Sequence, residues 1–182
     1  MFKSLLVLSI CFVIGFTESN YKVEDQIYSC LVAEYHKQGV DVEPLLDSLE
    51  LYYITQGVLT DNTGKSKFNF YKKISEAGKA PTMKWHKLAD SVGQIMYFDQ
   101  QINQCLSENN IDSTDINESK YSDLLKSFHT IQEVNLKNAA KAHIEVLTPK
   151  DFEHPYYRAH MIISFTRIYE PETSFLKLIP ND

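Results

Sequence analysis

Residues 151–160 carry the densest group of side chains in this chain that could perform chemistry. Asp151, Glu153, His154 and His160 lie within this segment, which reads DFEHPYYRAH. Carboxylates and imidazoles bind divalent metals and exchange protons near neutral pH. As a site, Asp151, His154 and His160 are the candidate ligands of a metal-dependent hydrolase.

The same residues also have a structural interpretation, which we favour. Acidic side chains at a helix start are stabilised by the helix dipole, and His154 precedes Pro155 at a helix junction. No two of the six histidines are three or four residues apart, so no helix face presents two of them together. We therefore predict no metal site and no cofactor. The histidines are His36, His86, His129, His143, His154 and His160.

Other catalytic signatures are also missing from the sequence. No Gly-x-Ser-x-Gly motif occurs, so nucleophilic catalysis has no candidate residue and we predict none. Asn117-Glu118-Ser119 is an N-glycosylation acceptor, which has meaning only in a eukaryotic secretory pathway.

The N-terminus has the pattern of a secretory signal peptide. Lys3 precedes a short uncharged, mostly apolar stretch at residues 4–16, and small residues follow at Thr17 and Ser19. We predict cleavage after Ser19, which leaves Asn20 as the first residue. The predicted domains are the signal at 1–19, a helical domain at 20–170 and a tail at 171–182.

Two alternatives to a cleaved signal remain open. A membrane anchor is disfavoured because residues 4–16 span only about 20 Å as a helix, against a hydrocarbon core of roughly 30 Å. A lipoprotein would need Cys11 as its acceptor, but the bulky Ile10 stands where a small residue is required. We expect a secreted or periplasmic protein that is free of the membrane after cleavage.

The two cysteines that follow the signal predict a disulfide. Cys30 and Cys105 are an even pair in a chain destined for an oxidising compartment, and each falls on the apolar face of its own predicted helix. The alternative is two buried free thiols.

Apolar side chains recur with helical periodicity along most of the mature chain. Turn residues divide the periodic segments: Gly39 ends the first helix, Asp41 caps the second, and Gly57 and Gly78 end the second and third. Residues 107–119 are polar and read as the longest loop. The sequence predicts an all-α, single-domain helical bundle of about seven or eight helices with one disulfide.

Composition limits the kind of partner that we expect. The net charge is −6 with a sequence pI near 5.5, and no run of basic residues occurs, which argues against nucleic acid and anionic membranes. An aromatic content of 12% argues against disorder.

Two stretches, residues 57–66 followed by 70–74 and residues 147–158, resemble a small family of uncharacterised secreted or envelope proteins of Bacteroidetes-type bacteria. Some such proteins are labelled as related to the biopolymer-transport energy-coupling protein, which implies a periplasmic protein-interaction role. That transporter's membrane helix carries an Asp for proton coupling, whereas residues 4–16 contain none. Its mixed α/β periplasmic domain also differs from the helices predicted for this chain.

Three functions follow as hypotheses. The first is a non-enzymatic secreted or periplasmic helical domain that binds a protein partner. The second is a helical carrier of a small apolar ligand, suggested by the many Tyr and Phe residues on inward faces. The third is the metal-dependent hydrolase built on Asp151, His154 and His160.

Overall fold

The computed structural model describes residues 21–82, 104–109, 111–133 and 135–168. Within these ranges the protein is all-α and has no β-strand, which confirms the predicted fold class. Its helices are α1 (Lys22–Lys37), α2 (Val42–Thr55), α3 (Gly64–Ala77), α4 (Ser113–Glu118), α5 (Lys120–His129), α6 (Leu136–Val146), a 3-10 helix (Asp151–Glu153) and α7 (Pro155–Ile168).

Turn chemistry accounts for most of the helix ends. Thr63 caps α3 by accepting a hydrogen bond from the Ser66 N–H. Gly78 ends the same helix with φ of 69°, in the left-handed region that glycine enters at little cost. Asp41 stands at the N-cap of α2 as predicted, but its side chain makes no capping hydrogen bond.

The prediction of a loop over residues 107–119 was wrong in part. Asp112 accepts a hydrogen bond from the Thr114 N–H and starts the short helix α4. Ser119 then ends α4 and caps α5 by accepting from the Ser122 N–H. A polar composition hid α4 from periodicity because none of its residues is buried.

Two helix pairs and the 3-10 helix between them enclose the core. α3 packs on α6, α1 packs on α7, and the 3-10 helix contacts both α3 and α7. The apolar faces expected from periodicity are buried, with Ile27, Leu49 and Ile74 fully so. Phe152 of the 3-10 helix is also fully buried, so this short element is part of the core.

The predicted disulfide is confirmed. Cys30 of α1 is bonded to Cys105, which lies in a helical stretch at residues 104–108, and their Cα atoms are 6.1 Å apart. This bond ties the stretch to α1 across 75 residues of sequence.

Several predictions fall outside the described residues. They are the signal at 1–19, most of the fourth and fifth predicted helices at 83–103, and the tail at 171–182. Among the helices that the structure describes, none has both the length and the apolar character required to cross a membrane.

Candidate functional site

Asp151, the first of the predicted metal candidates, is completely buried and surrounded by donors. Its Oδ1 accepts from the Tyr21 hydroxyl at 2.5 Å and from Lys120 Nζ at 2.6 Å. Its Oδ2 accepts from the backbone N–H and the hydroxyl of Thr148, both at 2.6 Å. Burial alone would raise the pKa of Asp151, but these hydrogen bonds outweigh burial and hold the pKa below its usual value. The carboxylate therefore joins α1, α5 and the 3-10 helix.

His154 lies near Asp151 but bonds elsewhere. Its Nδ1 accepts from the Tyr156 N–H at 3.3 Å, and its Nε2 lies 3.0 Å from Asp25 Oδ1. The ring packs against Tyr21 with centroids 4.4 Å apart. His154 thus helps to attach the start of α7 to the start of α1.

His160 faces a second histidine. Its Nε2 lies 3.1 Å from Nε2 of His143, while Nδ1 of His143 lies 2.8 Å from the Ala139 carbonyl oxygen. A carbonyl only accepts, so Nδ1 of His143 carries the proton, Nε2 of His143 accepts, and Nε2 of His160 donates. Burial lowers the pKa of His143 to about 4, which keeps this ring neutral near pH 7. Spacing along the chain could not reveal the pair because it joins α6 to α7.

The three candidates therefore do not converge on one ion. Asp151 bonds to Lys120, His154 to Asp25 and His160 to His143. In the part of the chain that the structure describes, no group of three or more His, Cys, Asp or Glu side chains is arranged to hold a metal.

A buried ion-pair network joins α2, α3 and α7. Lys67 is 2% exposed, pairs with Glu50 and donates to the Asn62 carbonyl at 2.5 Å. Arg158 donates to Glu50 Oε2 from Nε at 3.1 Å and from Nη2 at 2.8 Å. At the surface the Arg158 guanidinium also pairs with Glu43 and Asp47. Each buried charge of this network thus has an oppositely charged partner, as burial requires.

The two stretches on which the family resemblance rests pack against each other. The Gly64 N–H donates to Glu153 Oε1 at 3.0 Å. The Lys67–Glu50–Arg158 network joins the same two regions a short distance away. The start of α3 is therefore in contact with the 3-10 helix.

An open groove of about 860 Å³ lies between the start of α1 and the α4–α5 corner. We call it the α1–α5 groove. Charged and polar side chains dominate its lining, which consists of Lys22, Val23, Glu24, Asp25, Gln26, Asp115, Glu118, Ser119, Lys120 and Asp123. A second cavity, of about 350 Å³, also has a mostly polar lining, whereas a third, of about 190 Å³, is lined by more apolar than polar surface.

Glu24 is the most unusual residue of this groove. Its side chain is 0% exposed, and its Oε1 accepts from the Tyr121 N–H at 2.8 Å and the Tyr157 hydroxyl at 2.7 Å. Its Oε2 is buried and has no hydrogen-bond partner among the residues that the structure describes. Burial and the hydrogen bond to Glu24 both raise the pKa of Tyr157, so its hydroxyl stays protonated as a donor.

Negative charge exceeds positive charge in the groove. Five of its side chains are carboxylates and two are lysines. Both lysines are held by carboxylates, Lys22 by Asp115 at 2.6 Å and Lys120 by Asp151 at 2.6 Å. Asp123 is paired with Lys126, and Asp25 lies against His154. Glu24 and Glu118 are the two carboxylates of the groove with no ion pair among the described residues, and they could accept a cationic group.

Comparison with known proteins gives no relative for this chain. No protein-family model matches it, no curated protein matches it, and no solved structure matches it.

Sequence reasoning missed the groove and the ion-pair network. Glu24 and Lys67 look like ordinary helix-surface charges, although both are buried. One signal was available, since Glu24 lies one helical turn before Ile27 and Lys67 one turn before Phe70, both on apolar faces, but it does not identify their partners.

Proposed function

We propose that this chain is a non-enzymatic domain, secreted or periplasmic, that binds a protein partner. The observation that carries the proposal is the character of the α1–α5 groove, which is open, about 860 Å³ in volume and lined mainly by charged side chains. Pockets for small molecules are typically concave and mostly apolar. An open polar groove is better suited to the side chains of another protein.

The use of buried charges supports a non-enzymatic role. Asp151 receives donors from three other residues, and Lys67 and Glu50 neutralise each other inside the core. These groups hold helices together. A catalytic acid or base needs an environment that leaves it able to exchange a proton with a substrate.

The Cys30–Cys105 bond supports export, because disulfides persist mainly in oxidising compartments. We expect the exported protein to begin near Asn20. Intact-mass measurement tests this. Retention of residues 1–19, or added acyl mass, would contradict a cleaved and unanchored product.

Site-specific photo-crosslinking tests the partner hypothesis. A benzophenone amino acid is placed singly at Asp123 on the groove rim, at Leu51, which is 62% exposed, or at Glu76 on the exposed side of α3. We expect a discrete adduct, identified by mass spectrometry, from at least one position in protein exported by its own cells. Absence of an adduct at all three positions, together with displacement of an apolar dye by fatty acids, would favour the carrier hypothesis instead.

A further inference from the structure

We propose that the α1–α5 groove is the docking site for a basic segment of the protein partner, with a lysine or arginine side chain of that segment bonded to Glu24 Oε2. This inference rests on the proposed function, and it adds the place of contact and the chemistry of the partner.

The buried and unpartnered oxygen of Glu24 is the first line of argument. Taking a carboxylate oxygen out of water without a hydrogen bond costs free energy, so native proteins rarely leave one in that condition. Oε1 is already occupied by the Tyr121 N–H and the Tyr157 hydroxyl. Glu24 lines the groove, and its Oε2 atom has no hydrogen-bond partner among the described residues. A cationic N–H donor arriving through the groove would satisfy it.

The charge of the groove is a second and independent argument. Its five carboxylates outnumber its two lysines, both of which are held by ion pairs at 2.6 Å. Among the described residues, Glu24 and Glu118 are the carboxylates of the groove that have no ion pair. A basic segment complements this excess of negative charge, and electrostatic complementarity speeds association and selects partners.

Ligand geometry favours a donor group over a metal ion. A hard divalent cation takes six or more oxygen ligands, or several carboxylates with water, whereas no suitable group of three ligands occurs among the described residues. One free oxygen matches one N–H of an ammonium or guanidinium group. A groove of about 860 Å³ also has room for more than one side chain, which suits a peptide segment.

Isothermal titration with a short basic peptide tests the proposal. The probe is acetyl-(Gly-Lys)₃-amide at low salt, and the matched peptide carries acetyl-lysine in place of each lysine. We expect the mature protein to bind the first peptide, to lose affinity as salt rises, and not to bind the acetylated peptide.

Variants locate the binding. Glu24→Gln keeps the shape of the side chain and removes its charge, and we expect at least a tenfold loss of affinity. The rim variant Glu118→Gln with Asp123→Asn changes exposed residues only, and we expect about a fivefold loss. Glu76→Gln, an exposed acid of α3 outside the groove, is the matched control and should leave affinity unchanged.

Each contrary result overturns the inference. If the acetylated peptide binds as tightly as the lysine peptide, binding does not require a cation. If the rim variant and Glu76→Gln lose affinity equally, the peptide is attracted by the overall negative charge of the protein and not by the groove. Tighter binding of spermine than of the peptide assigns the groove to a small amine. If Glu24→Gln fails to fold, as judged by circular dichroism, the rim variant decides whether the groove is the docking site, and an affinity equal to that of wild type overturns the inference. A crosslink from Leu51 without peptide binding would leave the proposed function intact and refute this inference.

Discussion

Gly64 and Pro149 approach so closely that no larger residue fits at position 64. A Cβ atom added to Gly64 would stand 2.0 Å from the Pro149 carbonyl oxygen and 2.8 Å from Cγ of Glu153. Since the obstacle at 2.0 Å is backbone, it cannot move aside as a flexible side chain would. The first turn of α3 and the segment before the 3-10 helix are therefore in direct contact because position 64 lacks a side chain.

We expect Gly64→Ala to lower the free energy of unfolding by at least about 1–3 kcal/mol, because the added methyl group forces the backbone to shift. Urea denaturation followed by circular dichroism measures it. Lys65→Ala, at the exposed neighbouring position of α3, is the control and should stay within about 0.5 kcal/mol of wild type. Equal stability of Gly64→Ala and wild type would mean that these two segments are not in contact.

The Glu50–Lys67 pair should show strong coupling. Glu50→Leu leaves Lys67 buried without its carboxylate, and Lys67→Met removes one of the cations that face Glu50. We expect each single variant to lose about 3 kcal/mol of stability, and the double variant to lose clearly less than the sum. A double-mutant cycle from denaturation curves measures this, and simple additivity would contradict a buried pair.

His143 predicts a loss of stability in mild acid. Its folded-state pKa is depressed to about 4, whereas an unfolded histidine titrates near about 6.5. A base with a depressed pKa contributes stability above its unfolded pKa and loses that stability as the pH falls toward the folded value. We expect up to about 3 kcal/mol to disappear between about pH 6.5 and pH 4. In a plot of the free energy of unfolding against pH, His143→Gln should reduce the slope between these two pH values. The control His129→Gln, which changes an exposed histidine, should leave that slope unchanged.

The lowered pKa of Asp151 predicts a further loss of stability at lower pH. Its folded-state pKa is held below its usual value of 3.8. A carboxyl group with a lowered pKa adds stability above its unfolded pKa, and that stability is lost as the pH falls through the folded pKa. We expect Asp151→Asn to destabilise the protein at pH 7 and to reduce the slope below about pH 4. Asp41→Asn, whose side chain makes no capping bond, is the matched control.

The Cys30–Cys105 bond should stabilise the protein without being needed for its helices. We expect Cys30→Ala with Cys105→Ala to lower the free energy of unfolding by about 2–5 kcal/mol, because the bond limits the freedom of the unfolded chain. The circular dichroism spectrum should keep its helical form. Thiol titration of the denatured, unreduced protein should find no free thiol, and two thiols per chain would contradict the bond.

The sequence by itself determined the helical class, most helix limits and the disulfide. The first two features are local, since apolar residues recur with the helical period within each segment and Gly78 stops a helix. The disulfide followed from the count of cysteines, because only Cys30 and Cys105 come after the predicted signal. The short helix α4 escaped because it buries no residue and so shows no period.

Only the tertiary structure decided what the polar residues do. Asp151 and His160 are nine residues apart in the sequence, yet one bonds to Lys120 and the other to His143. Glu24 and Lys67 are buried because distant helices cover them and supply the Tyr157 hydroxyl and the Glu50 carboxylate. A charged residue carries no sign of its partner in its own neighbourhood, since burial of a charge depends on groups that folding brings from elsewhere.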